Sequence, residues 1–272
     1  MSEFSLARAF DTVNVWRAGG AAKIELNRPD TMNAWNKQFG LDLLAAIQEV
    51  TADDDVRAVL LTGAGRGFSS GADLKDLSTG DVTPEGRPDV YKVLTERYHP
   101  IITGIREMPK PVLAAVNGPC VGIGLSLALA ADLVVARESA YFLLAFVNIG
   151  LVPDGGSSLF VPSRVGLARA SEMALLGERV SAAQAADWGL INRVVPDADF
   201  DAETTTLLER LAAGPTASYA GTKRQLNHWL YTRMDEQLEL EARIQQEMAG
   251  SADFVEGVTA FTEKRAAAFG GR

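Results

Sequence analysis

The sequence predicts an α/β core followed by a helical C-terminal appendage. Three observations carry that prediction. Between Val13 and Val195, short apolar runs bounded by glycine alternate with segments of helical period. The uncharged run from Pro111 to Ala131 is split by Asn117-Gly118-Pro119, so it reads as two buried elements joined by a turn. From Phe200 onward the pattern is wholly helical, with charged faces.

Each element has its own justification. Val13 to Arg17 and Ala21 to Asn27 read as strands joined at Ala18-Gly19-Gly20. Asn36 to Val50 reads as a helix, because Phe39, Leu43, Ile47 and Val50 fall on one face. Val56 to Leu61 is a short apolar strand, and the glycine-rich loop GAGRGFSSGADLKDL follows it. Ser78 to Pro88 is polar and rich in Gly and Pro, so it is expected to be mobile. A helix spans Asp89 to Glu107 and stops at Met108-Pro109. Val112 to Val116 is a buried strand, the run from Gly122 to before Asp132 a buried helix, and Leu133 to Ala136 another strand. Ala168 to Leu176 is helical and ends at Gly177. Ser181-x-x-Gln184 is a capping-box signature opening a helix that ends at Gly189, before a strand from Leu190 to Val195. A boundary falls near Pro196 to Phe200, dividing residues 1–198 from 199–272.

Composition narrows the function. The chain has 272 residues, 47% of them hydrophobic, enough for one large domain or a core with an appendage. Lys plus Arg is 26 against 35 for Asp plus Glu, a net charge of −9 without any basic run, which argues against nucleic acid as a partner. The single cysteine, Cys120, excludes an internal disulfide and fits a reducing compartment. With only His99, His228 and that cysteine, the ligands for a zinc site are lacking. A Ser-His-Asp triad would need one of the two histidines, and neither has a recognisable context. The N-terminus, MSEFSLARAF, lacks the apolar core of a secretory signal, and the turn inside the Pro111–Ala131 run argues against a membrane span. The expectation is a cytoplasmic protein with no membrane partner.

The stretch from Lys110 to Arg164 holds the chemistry. Between its ends, Asp132, Arg137, Glu138 and Asp154 carry its only charges. Asp154 lies in Val-Pro-Asp-Gly-Gly-Ser-Ser, directly after an apolar run. A carboxyl in an apolar pocket has a raised pKa and exchanges protons near neutrality. Pro-Asp-Gly is also ordinary turn chemistry, so the residues alone leave both roles open. Two strand-to-loop junctions accompany it: Phe68-Ser69-Ser70-Gly71-Ala72-Asp73-Leu74 and Asn117-Gly118-Pro119-Cys120-Val121-Gly122-Ile123-Gly124. Both put small residues where a backbone approaches something closely, and the second opens a helix whose free N–H groups favour negative charge. Two N–H groups aimed at one point make an oxyanion hole, although tight packing alone also accounts for such turns. Gly122-x-Gly124 lacks the third glycine of a dinucleotide fingerprint.

At these residues the chain resembles the crotonase superfamily, the enoyl-CoA hydratase/isomerase family, over essentially its whole length. The resemblance rests on Leu26-Asn27-Arg28-Pro29 with Asn33-Ala34, Leu61-Thr62-Gly63 through Asp73-Leu74, and Pro109-Lys110-Pro111-Val112 through Asn117-Gly118. It continues through Gly150-Leu151-Val152-Pro153, Leu176-Gly177 to Gly189-Leu190, and Glu256-Gly257 through Phe261 to Lys264-Arg265. It implies the crotonase (ClpP-like) fold of repeated β-β-α units, acyl-CoA thioester substrates, and a homotrimer or dimer of trimers. Residues 1–198 would be the binding and catalytic core and 199–272 the trimerisation domain. The resemblance places the oxyanion hole at the N–H groups of Ala72 and Ile123. It places the coenzyme A nucleotide near Arg28, Ala34 and the Ala72-Asp73-Leu74 loop, with Phe261 and Lys264 reaching it from a neighbouring subunit. Coenzyme A enters as part of the substrate, and no metal or separate cofactor is implied. Asp132 and Asp73 read as structural, and Tyr141, Phe142, Phe146 and Trp188 as candidates for the acyl pocket.

One departure matters. The two glutamates with which hydratases of this family hold water fall at Ser126 and Phe146, and neither is a carboxylate here. Asp154 fills a third family position, as in the isomerase branch, where one carboxylate suffices. Within it the sequence is most similar to the 1,2-epoxyphenylacetyl-CoA isomerase branch, through Pro162-x-Arg164-Val165, Ala174-Leu175-Leu176-Gly177, Trp188-Gly189 and Ser251-Ala252-Asp253-Phe254. The resemblance therefore implies double-bond or epoxide isomerisation of an unsaturated or aromatic acyl-CoA. Enoyl-CoA hydration, and acyl-CoA binding without catalysis, are the alternatives.

Overall fold

The structure is a computed structural model that describes residues 3–79 and 81–272, without the side chains of 77–79. Its strands are β1 (Ser5–Ala9), β2 (Val13–Ala18), β3 (Ala21–Leu26), β4 (Ala58–Gly63), β5 (Val112–Val116), β6 (Cys120–Val121), β7 (Leu133–Arg137), β8 (Tyr141–Leu143), β9 (Val180–Ser181) and β10 (Arg193–Val195). Its helices are α1 (Lys37–Ala52), α2 (Leu74–Thr79), α3 (Val90–Val93), α4 (His99–Glu107), α5 (Ile123–Ala130), α6 (Ser157–Leu176), α7 (Ala182–Asp187), α8 (Phe200–Ala213), α9 (Thr216–Tyr231), α10 (Met234–Ala249) and α11 (Ala252–Glu263). A π turn, Leu94–Tyr98, joins α3 to α4.

Among the described residues the main sheet has the order β1-β2-β3-β4-β5-β7-β10, and β6-β8-β9 form a small second sheet. The first three strands pair antiparallel and the rest of the main sheet is parallel. The β2–β3 hairpin closes over Gly19-Gly20, where Gly19 takes a φ of 54°, as a two-residue hairpin loop requires. Parallel strands are covered on both faces, which is why they read as unbroken apolar runs. In β4, Val59 and Leu61 face the large core with α1, α4 and α5, while Ala58 and Leu60 face the other side. There α8 supplies Phe200 and Leu208, against Leu60, Leu113 and Val135.

The one-sided apolar face of α1 is fully buried, and Asn36 caps it by accepting the Phe39 N–H at 2.9 Å. All of α5 is buried, so its uncharged sequence is that of a helix surrounded by protein. Among the described residues no helix is long and apolar enough to cross a membrane. The capping box at Ser181 and Gln184 is present with both of its bonds. The described residues add elements that the sequence hides. β1 is an exposed edge strand without an apolar face. α6 begins at Ser157 rather than Ala168, because Pro162 and a break at Gly166 (φ 76°, ψ 169°) disguise its first half. Of the Ser78–Pro88 segment, Gly80 and the side chains of Ser78 and Thr79 lie outside the described residues. The remainder closes a turn, with Thr83 N–H donating to Arg87 O at 2.8 Å.

Candidate active site

Two asparagines shape the glycine-rich loop after β4. Asn33 is fully buried and donates to Ala64 O (3.0 Å) and Gly67 O (2.9 Å). Asn117 donates to Gly65 O (3.0 Å) and accepts from Gly63 N–H (3.2 Å). These bonds deliver the chain to Ala72. Trp35 N–H donates to Gly71 O (2.8 Å), and Asp73 N–H donates to Trp35 O (2.9 Å). That ladder steps over Ala72, whose N–H has no acceptor among the described residues. Ile123 opens α5, so its N–H lies in the first turn and has no helical acceptor. The two loops touch. A β-carbon at Gly71 would stand 3.2 Å from Val121 O and 3.9 Å from the Gly122 Cα. Both glycines have left-handed φ values, 93° and 55°, which L side chains disfavour.

Asp154 packs beneath the start of α5. A β-carbon at the adjoining Gly155 would fall 2.3 Å from Ile123 Cδ1 and 3.1 Å from Ser126 Cβ. Its main-chain carbonyl accepts from Ser126 Oγ (2.7 Å), Ser157 Oγ (2.8 Å) and Ser157 N–H (3.1 Å). The carboxyl is buried; its Oδ2 accepts from Gln245 Nε2 at 2.7 Å and its Oδ1 has no partner among the described residues. Burial pushes the group up to about 8, the Gln245 bond pulls it back in part, and the Glu241 carboxylate pushes it further up. The Phe146 ring lies near Gly122, 3.9 Å from where a β-carbon would be. Ser126 and Phe146 are both buried, so the two positions where the resemblance implies hydratase glutamates hold a hydroxyl already engaged with Asp154 O and an aromatic ring.

The structure brings most of the other site residues together. Arg28 donates to Ala34 O and to Asp73 Oδ2, the latter at 3.2 Å, with Leu74 opening α2 beside it. Phe261 is 66% exposed on α11 and Lys264 caps that helix in a left-handed conformation. Among the described residues no hydrogen bond or ion pair joins those two to the Arg28 cluster. Asp132 is structural, accepting from Arg106 (3.2 Å), Lys223 (2.9 Å) and Val112 N–H (2.8 Å). Phe142 is wholly core, while Tyr141 and Trp188 stack under Arg179 and Arg169.

Three residues near Asp154 escape sequence reasoning. Tyr98 ends the π turn, meets Trp35 edge-on at 5.0 Å, and has its phenol pushed up by burial and then by the Asp154 carboxylate. Gln245 and Glu241 come from α10, and nothing in their charged helical surroundings marks them. A π turn is a recurring mark of functional sites, but its extra residue leaves the apolar period of 89–107 readable as plain helix.

Comparison with known proteins places this architecture. Residues 17–272 match the family described as enoyl-CoA hydratase/isomerase, and the chain belongs to that family. It is 45% identical over 264 residues to a probable enoyl-CoA hydratase of Rhodobacter capsulatus, covering 97% of this chain and 100% of that one. It is 40% identical over 253 residues to the 1,2-epoxyphenylacetyl-CoA isomerase of Escherichia coli, covering 93% and 96%. A crystal structure of an enoyl-CoA hydratase from Mycobacterium avium subsp. paratuberculosis superposes with a TM-score of 0.87 at 38% identity, covering 96% of this chain and 99% of that chain. The crotonase fold expected from the sequence is the fold observed.

Proposed function

We propose that the protein isomerises an acyl-CoA thioester through an enolate, with Asp154 as its one acid/base group. The observation that carries this reading is the Asp154 carboxyl itself, buried beside Ile123 with Oδ1 unpartnered among the described residues. The N–H groups of Ala72 and Ile123 accept the thioester oxygen. Asp154 Oδ1 takes a proton from the α- or γ-carbon; the C–H electron pair becomes a carbon–carbon double bond conjugated with the one already present, and the thioester C=O π pair moves onto its oxygen. The enolate then collapses, and the same proton returns to the other carbon. The double bond has moved, with no water added and no electron transferred. A group poised near 8 gives and takes protons readily at neutral pH. An epoxide on an aromatic acyl group would be rearranged with the same two donors and the same carboxyl, and the similarity to the Escherichia coli isomerase supports that substrate class.

For the rest of the substrate, Arg28, Ala34, Asp73 and Leu74 would hold the coenzyme A nucleotide, which is bound as substrate, with no separate cofactor. Phe261 and Lys264, exposed on this chain, would serve a neighbouring subunit of a trimer or dimer of trimers. Hydration is the second reading, favoured by the name of the Rhodobacter capsulatus relative. A panel of acyl-CoAs separates the two. A β,γ-unsaturated acyl-CoA should be isomerised far faster than crotonyl-CoA is hydrated. Asp154→Asn should keep acyl-CoA binding and lose about 100- to 10,000-fold in turnover. Crotonyl-CoA hydration outpacing isomerisation, or an Asp154→Asn variant at wild-type turnover, overturns the reading.

A further inference from the structure

The residues of α10 that face Asp154 have no place in the mechanism above, yet they hold its loop at several points. Glu241 and Gln245 are four residues apart, so they share one face of the helix. Glu241 accepts from Gly156 N–H (2.8 Å), Ser158 N–H (3.2 Å) and Ser158 Oγ. Gln245 is 1% exposed; its Oε1 accepts from Val152 N–H at 3.0 Å and its Nε2 donates to Asp154 Oδ2 at 2.7 Å. One side chain therefore spans the Val152–Asp154 turn, binding its main chain with one end and its carboxyl with the other.

We infer that Gln245 is a positioning residue, one that fixes which oxygen of Asp154 carries the proton. The argument is one of donors and acceptors. A backbone N–H only donates, so Val152 requires the oxygen of the Gln245 amide and leaves its nitrogen facing Asp154. That nitrogen only donates, so Asp154 Oδ2 must accept, a role that suits the carbonyl oxygen of the protonated acid better than its hydroxyl. The proton is thereby directed to Oδ1, which has no protein partner among the described residues. Gln245 thus biases the carboxyl against presenting the wrong oxygen, and its bond favours the ionised form that acts as base. The ionisable groups that face Asp154 are Glu241 from α10, which opposes its ionisation, and Tyr98 from the π turn, which stays neutral. This inference rests on the reading of Asp154 as the acid/base group.

The test is titration of Asp154 itself. Its protonated C=O stretch is identified in the full-length protein as the infrared band lost in Asp154→Asn. Gln245→Met keeps the volume and removes both bonds. The expected result is an Asp154 midpoint raised by about one pH unit or more. It should come with kcat down about tenfold or more and a KM within about twofold of wild type. In the wild type, which raises no question of folding, the Gln245 side-chain amide resonances should shift with pH at the Asp154 midpoint. A wild-type amide signal blind to that midpoint, or a Gln245→Met variant with an unmoved midpoint, overturns the inference and leaves Gln245 a loop anchor. An Asp154→Asn variant that still isomerises would instead overturn the mechanism, while the titration would still decide what Gln245 does to the carboxyl.

Discussion

Asp154 shows how far one residue can be read from its neighbours in sequence. An apolar run followed by Pro-Asp-Gly leaves open a turn residue or a buried carboxyl, and the structure places it buried under α5, with one oxygen unpartnered among the described residues. Ser126 and Phe146 stand out only through the family resemblance, which implies glutamates at those two positions in hydratases. Gln245 is not legible, because its partner lies 91 residues away and its own segment reads as an ordinary charged helix. Restoring the glutamates tests how specific these positions are. Ser126 is fully buried and its Oγ already donates to Asp154 O, so a longer side chain there must displace packed neighbours and give up that bond. A Ser126→Glu, Phe146→Glu double variant would place two charges among buried groups, at a desolvation cost of several kcal/mol each. Their repulsion with Asp154 would push all three proton affinities up rather than create a pair of bases. The expected outcome is a lowered melting temperature and crotonyl-CoA hydration close to that of the wild type. A double variant as stable as the wild type, with strong hydration, would show that the pocket was wet and lacked only its carboxylates.

Elements were legible where burial wrote a period into the sequence. The parallel strands and α5 carry apolar runs because protein covers them on all sides. β1 carries no such mark because it is an exposed edge, and the two-residue strands β6 and β9 are too short to show a period. The junction of β6 and α5 is the element on which the site turns. Gly122 has φ 55° and ψ −126°, a conformation essentially reserved for glycine, and it aims the first turn of α5. A β-carbon there would find its nearest neighbours, Gly71 Cα and Phe146 Cζ, 3.9 Å away, so the cost of Gly122→Ala is conformational rather than steric. We expect it to destabilise the protein by about 1–3 kcal/mol. If the backbone relaxes to relieve that strain, the Ile123 N–H turns away, and one lost oxyanion donor lowers kcat by about 100- to 1,000-fold. Denaturant unfolding and kcat measured on the same variant check the pair. Full activity alongside the expected loss of stability would show that the strained turn is held and the Ile123 N–H keeps its aim, whereas near wild-type stability with full activity would contradict the expectation for this turn.

At the scale of the whole molecule, the proposed chemistry and the stability of the fold draw on the same carboxyl in opposite directions. The crotonase fold was readable from ordered motifs along the chain, but the closing of α10 over the Asp154 loop was not, since it joins segments that no local pattern connects. That closure buries two acids together, with Asp154 pushed up to about 8 and Glu241 to about 7, both chiefly by burial. In the unfolded chain Asp154 ionises at its ordinary value of 3.8. Between that value and about 8 the folded protein holds a proton that the unfolded chain has lost. Stability from this group is therefore full below about pH 4 and falls as pH rises, by up to ~1.4 kcal/mol per unit, until the folded carboxyl also ionises. Glu241 adds a slope of the same sign, present in wild type and variant alike. Asp154→Asn removes the first slope, because an amide has no proton to lose in this range, and its Oδ1 can still accept from Gln245. The variant should gain on the wild type by at least about 2 kcal/mol between pH 5 and pH 8 in urea unfolding. A stability difference that stays flat across that range would mean that Asp154 is already ionised in the folded protein at neutral pH. The carboxyl would then be a base from the outset, and burial would have to be offset by a donor to Oδ1.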